Sequence, residues 1–130
     1  MTNEKQIKYS HMKQLKYTFF VLFFITISCE EIIMEQDISN ENVQLLAPSN
    51  NAVLAVGAGS FNWDIVKGAD KYKLQIATPN FAAANQVVVD TLITNTNFSK
   101  NLTAKTYQWR VKAINSAYET AYSVHDFTVE

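Results

Sequence analysis

A chain of 130 residues has room for one domain and an appendage, because a compact domain usually needs on the order of 100 residues to bury a useful core. Its charge is divided unevenly: residues 1–28 carry 4 lysines and 1 glutamate, whereas residues 29–130 carry 7 basic and 11 acidic side chains. A mildly acidic body without a cluster of lysine and arginine argues against a nucleic-acid partner, since that binding depends on neutralising phosphates.

The first element along the chain is a short apolar block with a basic flank. A basic flank containing Lys13 and Lys16 precedes an apolar block, YTFFVLFFITIS, that runs from Tyr17 to Ser28. The block has 12 residues, whereas a helix that spans a bilayer needs about 20. A positive segment, a short apolar segment and a small residue in this order are typical of a signal peptide. We therefore assign residues 1–28 to a signal, with Met12 as an alternative start of translation.

The signal leads directly into the only cysteine of the chain, Cys29. No second cysteine is present to form a disulfide within the chain, so the plain alternative is a free thiol. The stretch from Thr26 to Cys29 resembles a bacterial lipobox, although most lipoboxes carry leucine where Thr26 stands. The resemblance implies cleavage before Cys29, acylation of its thiol and its new amino group by chains such as palmitate, and a lipid anchor at the outer membrane. More than one acyl chain is needed for stable anchoring.

An acidic segment follows the cysteine. Glu30 and Glu31 resemble the residues that lipoproteins of the Bacteroidota carry at this place as a cue for export to the cell surface; the alternative is a solvated tether. Residues 29–42 are acidic and contain no aromatic residue, which is typical of a linker. We predict a tether over 29–42, with the alternative that residues 32–34 form a short helix or pack on the domain.

From Val43 onward, apolar and polar residues alternate with period two, which predicts half-buried β-strands. The inner faces are predicted to carry Phe61, Trp63 and Ile65 in one strand, Tyr72, Leu74 and Ile76 in the next, and Tyr107, Trp109, Val111 and Ala113 in a later one. Pro48 is expected to end the first strand, Gly68 to lie in a turn, and Gly57 and Gly59 to lie in a loop before a strand. About seven such strands predict an all-β, immunoglobulin-like sandwich of two sheets over 43–130.

The sequences FNWDIVKGADKYKLQI and LTAKTYQWRVKAIN resemble strands of bacterial fibronectin type III domains. The matching residues are Trp63, Tyr72 and the pair Leu102 and Tyr107, while Trp109 is an additional tryptophan. The resemblance implies a seven-stranded fibronectin type III sandwich in which the hydroxyl of Tyr107 bonds back to the preceding turn.

Residues that carry out catalysis are scarce. His125 is the only histidine after the predicted signal and is expected on the surface of a strand, where a single imidazole cannot build a zinc site. No Ser/His/Asp arrangement, pair of carboxylates or phosphate-binding glycine loop can be drawn from the spacing. The sequence therefore predicts a protein that is not an enzyme and that needs neither metal nor cofactor.

Two aromatic residues fall in predicted loops, where function is concentrated in this architecture. Phe81, in TPNFAAANQ, and Tyr118, in NSAYET, are candidates for contact with a sugar or a protein partner; the alternative is that both fold back and cap the core. Thr91, in the sequence DTL, matches a short O-glycosylation signal of the Bacteroidota.

Three functions remain open at this point. The first is a lipid-anchored binding or adaptor module at the outer membrane, exposed at the cell surface if Glu30 and Glu31 act as an export cue. The second is a glycan-binding accessory lipoprotein of a polysaccharide uptake system, and the third is a structural spacer or assembly subunit that holds another envelope protein.

Overall fold

A computed structural model describes residues 32–130 and contains eight β-strands. The strands are β1 (Leu45–Ala47), β2 (Ala52–Leu54), β3 (Gly57–Trp63), β4 (Lys71–Thr78), β5 (Gln86–Ile93), β6 (Asn97–Leu102), β7 (Lys105–Ile114) and β8 (Ser123–Val129). None of the described residues belongs to a helix long and apolar enough to cross a membrane.

The strands form two sheets that pack face to face. One sheet has the order β1-β3-β6, and the other has the order β2-β8-β7-β4-β5. All neighbouring strands run antiparallel except β2, a strand of three residues that pairs parallel to β8. The predicted two-sheet sandwich is confirmed, and β2 is the short strand that brings the observed number to eight.

The core lies between the two sheets and is built from the predicted alternation. Along β7 the buried residues are Tyr107, Trp109, Val111 and Ala113, and the residues between them are half-buried on the other face. The ring of Phe61 packs edge-on against Trp109, with ring centroids 5.2 Å apart. Such edge contacts between aromatic rings suit the opposite charges of ring edge and ring face. Phe61 also packs edge-on against Phe127 of β8 at 5.6 Å, so aromatic residues of three strands form the centre of the core.

The two tryptophans are held in different ways. The indole N–H of Trp109 donates to the carbonyl of Pro48 at 3.3 Å, which ties the end of β1 to the core. The indole N–H of Trp63 is buried and has no hydrogen-bond partner within residues 32–130. Trp63 is instead held by its ring, which packs edge-on against Tyr72 with centroids 5.7 Å apart.

The prediction for Ile65 is wrong. The alternation placed Ile65 on the inner face with Trp63, but β3 ends at Trp63 and the side chain of Ile65 is 80% exposed. The chain turns after Trp63, and Val66 points inward instead, where its N–H donates to the hydroxyl of Tyr72 at 3.0 Å. Period-two alternation holds only while the backbone remains extended, so it fails at the first residue of a turn.

The predicted loop at Gly57 and Gly59 is also absent, because both glycines belong to β3. Gly57 pairs with Leu102 and Gly59 pairs with Lys100 across the β3–β6 ladder. A Cβ atom on Gly59 would lie 3.1 Å from Cδ1 of Leu102, so the missing side chain leaves room for Leu102 in the core.

Residues 36–42, which we call the strap, pack on the sandwich although the sequence places them in the tether. Ile38 is fully buried in the core, and the compact unit extends from Met34 to the end of the chain. The residues around Ile38 are exposed and form a turn. In this turn the N–H of Glu41 donates to the carbonyl of Ile38 at 2.9 Å, and the N–H of Ser39 donates to the carboxylate of Asp37 at 2.9 Å. The hydrogen bonds from Ser39 lower the pKa of Asp37. The packed domain therefore begins before Val43.

The corner predicted at Tyr107 is confirmed. Its hydroxyl donates to the carbonyl of Thr103 at 2.9 Å, while its ring is buried and stacks on Phe127 with centroids 5.2 Å apart. The hydroxyl thus satisfies a carbonyl in the turn that precedes β7.

We expect Tyr107→Phe to lower the free energy of unfolding by about 1 kcal/mol, because it removes one hydrogen bond and leaves the ring in place. Urea unfolding followed by tryptophan fluorescence measures this loss. Tyr118→Phe is the matched control, since the Tyr118 side chain is 39% exposed. Equal stability of the two variants would contradict a structural role for the Tyr107 hydroxyl.

Candidate binding surface

The strand directions define two poles of the sandwich. The strap pole carries the strap and the connections 64–70, 94–96 and 115–122; the opposite pole carries the connections 55–56, 79–85 and 103–104. The connection 48–51 runs beside the middle of β8, where the N–H of Asn51 donates to the carbonyl of Asp126. Strand β4 runs from the strap pole to the opposite pole, and β7 returns. Loops at the poles and the outer faces of the sheets are therefore the surfaces available to a partner.

A row of aromatic and basic side chains crosses the outer face of the five-stranded sheet. The guanidinium carbon of Arg110 lies 3.9 Å from the centroid of the Phe81 ring and 4.2 Å from the centroid of the Tyr122 ring. The ammonium of Lys112 lies 5.0 Å from the same Tyr122 ring. We call Phe81, Arg110, Tyr122 and Lys112 the outer-face ladder. These distances are within the range of cation–π attraction, so the rings orient the cations.

Residues of neighbouring strands fix Arg110 further. Its Nε donates to the side-chain carbonyl of Gln75 at 2.9 Å. Gln75 lies directly opposite Arg110 where β4 pairs with β7. Within residues 32–130, no carboxylate lies within ion-pair distance of Arg110. Protein contacts therefore orient the guanidinium of Arg110, but no ion pair neutralises it. An oriented guanidinium of this kind can bind a planar anion such as a carboxylate through its outer N–H groups.

Two lysines of this face, Lys73 and Lys112, have carboxylate partners, whereas Lys71 at the start of β4 has none within residues 32–130. Lys73 lies 3.3 Å from Asp90, and Lys112 lies 2.9 Å from Glu119. The hydrogen bond from the Gln75 amide lowers the pKa of Asp90 most, and the charges of Lys73 and Arg110 lower it further. Both ion pairs are at the surface, where a single pair contributes roughly 0–1 kcal/mol. Of the two cations in the outer-face ladder, Arg110 is therefore the one without a carboxylate at ion-pair distance.

The structure places the two predicted aromatic candidates at different poles. Phe81 lies in the connection between β4 and β5 at the opposite pole, and its N–H donates to the Gln108 side chain at 3.1 Å. It lies outside the core cluster and covers Arg110 instead. Tyr118 lies in the connection between β7 and β8 at the strap pole. The two residues therefore do not form one site.

Thr91 lies on the edge strand β5 and pairs with Leu74, which is fully buried. Residues directly opposite each other in an antiparallel pair share a face, so Thr91 is on the inner side of the sheet and is half-buried. The proposed O-glycosylation of Thr91 stays a prediction.

His125 is half-buried, which corrects its predicted place on the strand surface. The ring packs edge-on against Trp109 with centroids 6.0 Å apart, and Nδ1 lies 3.2 Å from the carbonyl of Pro48. The described part of the chain contains no group of three or more histidine, cysteine, aspartate or glutamate residues that could hold a metal ion. Cys29, Glu30 and Glu31 lie outside the described residues, so their predicted roles stay predictions.

Asn115 is an organising residue that the sequence analysis did not single out. Only 5% of it is exposed, and its amide donates to the carbonyls of Gln36 at 2.7 Å and of Gly68 at 3.0 Å. Its side-chain oxygen accepts from the N–H of Tyr118 at 2.8 Å. An asparagine directly after a long strand is a signal for such a turn, because its side chain bonds to nearby backbone. Its partners on the strap and in the turn before β4 are too distant in sequence to predict.

The architecture recurs in solved structures at low sequence identity. The fibronectin(III)-like modules of Clostridium thermocellum CbhA superpose with a TM-score of 0.50 and 10% identity, covering 68% of this chain and 95% of the other. A fibronectin type III domain from the human KIAA0970 protein superposes with a TM-score of 0.50 and 15% identity, covering 68% of this chain and 72% of the other. FN3tt gives a TM-score of 0.50 and 12% identity, covering 68% and 95%.

No family model matches the chain, and no curated protein sequence matches it. The structural matches show that the chain has the fibronectin type III fold. Domains with this fold commonly serve as non-catalytic binding or structural modules, and the fold by itself does not identify a ligand.

Proposed function

We propose that this protein is a non-catalytic binding or adaptor module held at the outer membrane by acyl chains on Cys29. The observation that supports it is the position of the only cysteine, after a short apolar block and Ser28 and before two glutamates. The folded body is compatible with this role because the chain is first hydrogen-bonded to it at Gln36, seven residues after the cysteine.

Membrane fractionation combined with protease treatment of intact cells tests this proposal. The protein is expected in the outer-membrane fraction. Cleavage on intact cells is expected if Glu30 and Glu31 direct export, and replacement of both by glutamine should then protect the protein from protease. Recovery of the mature protein in the soluble periplasmic fraction would contradict the proposed anchor.

A second candidate function is binding of an acidic glycan, favoured by the outer-face ladder. The Phe81 and Tyr122 rings hold Arg110 on an open sheet face, where its outer N–H groups lie beside amide side chains such as Gln75. A sugar that bears a carboxylate offers the planar acceptor that a guanidinium binds through two parallel hydrogen bonds. In this case the protein would serve as an accessory subunit of polysaccharide uptake.

We expect Arg110→Gln to weaken binding of a polyuronate by about tenfold or more, because a hydrogen bond to a charged group contributes about 1.5–3 kcal/mol. Retardation in gels that contain polygalacturonate measures the affinity. Lys100→Gln is the matched control, since Lys100 lies on β6 of the other sheet. Equal retardation of the wild type and Arg110→Gln, or none of the wild type, would contradict this second function.

A further inference from the structure

The strap fixes the point at which the chain leaves the folded body. The Asn115 amide holds the carbonyls of Gln36 and Gly68 together, and two residues later Ile38 is fully buried. A Cβ atom added to Gly68 would lie 2.8 Å from the side chain of Gln36, so these two residues are in close contact. The chain therefore enters the sandwich at the turn 64–70, at the strap pole.

The free length of chain before this point is short. Six residues, 30–35, separate Cys29 from Gln36. At about 3.5 Å for each of the seven steps from Cys29 to Gln36, the extended chain spans at most roughly 25 Å. Strand β7 has 10 residues, which at about 3.4 Å each makes the sandwich roughly 34 Å long between its poles. A domain anchored through Cys29 is thus unable to stand inverted on its opposite pole.

Exposed apolar side chains at the strap pole decide between the remaining orientations. Ile65 is 80% exposed on the turn that Gln36 contacts, and Met34 is 87% exposed just before the strap. By comparison, exposed apolar residues elsewhere on the sandwich are less accessible, such as Val53 at 62% and Leu92 at 53%. The most exposed apolar side chain of the sandwich therefore lies on the turn at which the strap enters it.

We infer that the sandwich stands with its strap pole on the lipid bilayer, with Ile65 and Met34 in contact with the membrane and the opposite pole in solvent. This inference rests on the proposed lipid anchor at Cys29. Lys67 and Lys71 are exposed beside Asp64 and Asp70, and the strap adds the exposed Asp37 and Glu41, so this pole has no excess of positive charge and the contact depends on apolar burial. Contact is consequently expected on zwitterionic lipid and does not require anionic lipid. Phe81, at the opposite pole, remains accessible to a partner.

The test uses the acylated protein in phosphatidylcholine vesicles that contain a lipid with a nitroxide in its headgroup. Lys67→Cys and Lys105→Cys place one fluorophore at the strap pole and one at the opposite pole, on exposed residues. Quenching is expected at position 67 and not at position 105. Ile65→Asp should reduce the quenching at position 67, whereas Val53→Asp, on β2 nearer the opposite pole, should leave it unchanged.

Flotation of the vesicles distinguishes a failure of the proposed lipid anchor from a failure of the proposed orientation. If the protein does not float with the vesicles, the anchor is absent and the orientation fails with it. If the protein floats but position 105 is quenched as strongly as position 67, or position 67 is not quenched, the orientation alone is overturned. Quenching at position 67 that requires anionic lipid would overturn the apolar contact.

Discussion

Cys29→Ala is expected to abolish palmitate incorporation and to move the protein from the membrane to the soluble fraction. An acyl chain with roughly 14 buried CH2 groups, at about 0.8 kcal/mol each, contributes on the order of 11 kcal/mol to membrane binding. The substitution is best combined with a secretory leader whose cleavage does not require a cysteine, because an uncleaved apolar block would itself retain the protein. Phase partition in a cloud-point detergent, together with labelling by a palmitate analogue, measures the change.

Ser28→Ala is the matched control, since it keeps a small residue before Cys29 in the native leader. This variant should still be labelled and should remain in the detergent phase. A Cys29→Ala protein that partitions like the wild type after its leader has been removed would show that the membrane contact does not depend on the thiol.

The second large effect is expected from Ile38→Ala, which should lower the free energy of unfolding by about 2–5 kcal/mol. Ile38 is fully buried, so truncation removes its transfer free energy and leaves a cavity in the core. Trp63 and Trp109 lie in that core and report unfolding through their fluorescence. Urea titration of the mature domain gives the difference in stability.

Ile33→Ala provides the comparison, because the same substitution is made at a side chain that is 83% exposed. Its effect should stay within about 0.5 kcal/mol. If Ile38→Ala lowered the free energy of unfolding as little as Ile33→Ala, the strap would not belong to the folded domain. The free chain after Cys29 would then be longer, and the membrane orientation inferred from its short length would lose its basis.

Strands and inner faces were predictable from the sequence because extended backbone alternates its side chains between two faces. Trp63, Tyr72 and Trp109 are buried as the alternation indicates, and the Tyr107 corner forms as the resemblance to fibronectin type III domains implies. The prediction failed where the backbone leaves the extended state, as at Ile65, since one residue of turn reverses the expected face.

The features that depend on distant contacts were not predictable from local patterns. Ile38 lies in an acidic, polar segment and is buried only because the strap folds over the turn around Gly68 and onto Asn115. The outward direction of the Arg110 side chain follows from the alternation along β7. Its contact with Phe81 does not, because Phe81 lies in the loop between β4 and β5. Hydrophobic periodicity carries no information on such pairings, because neither partner is part of a repeating pattern.

Intact-mass analysis of the protein purified from membranes tests the central claim most directly, since it identifies both the first residue and the acyl groups. We expect a chain that begins at Cys29 and carries acyl groups on its thiol and its amino group. A chain that still carries residues 12–28 and has a free sulfhydryl at Cys29 would contradict the lipid anchor.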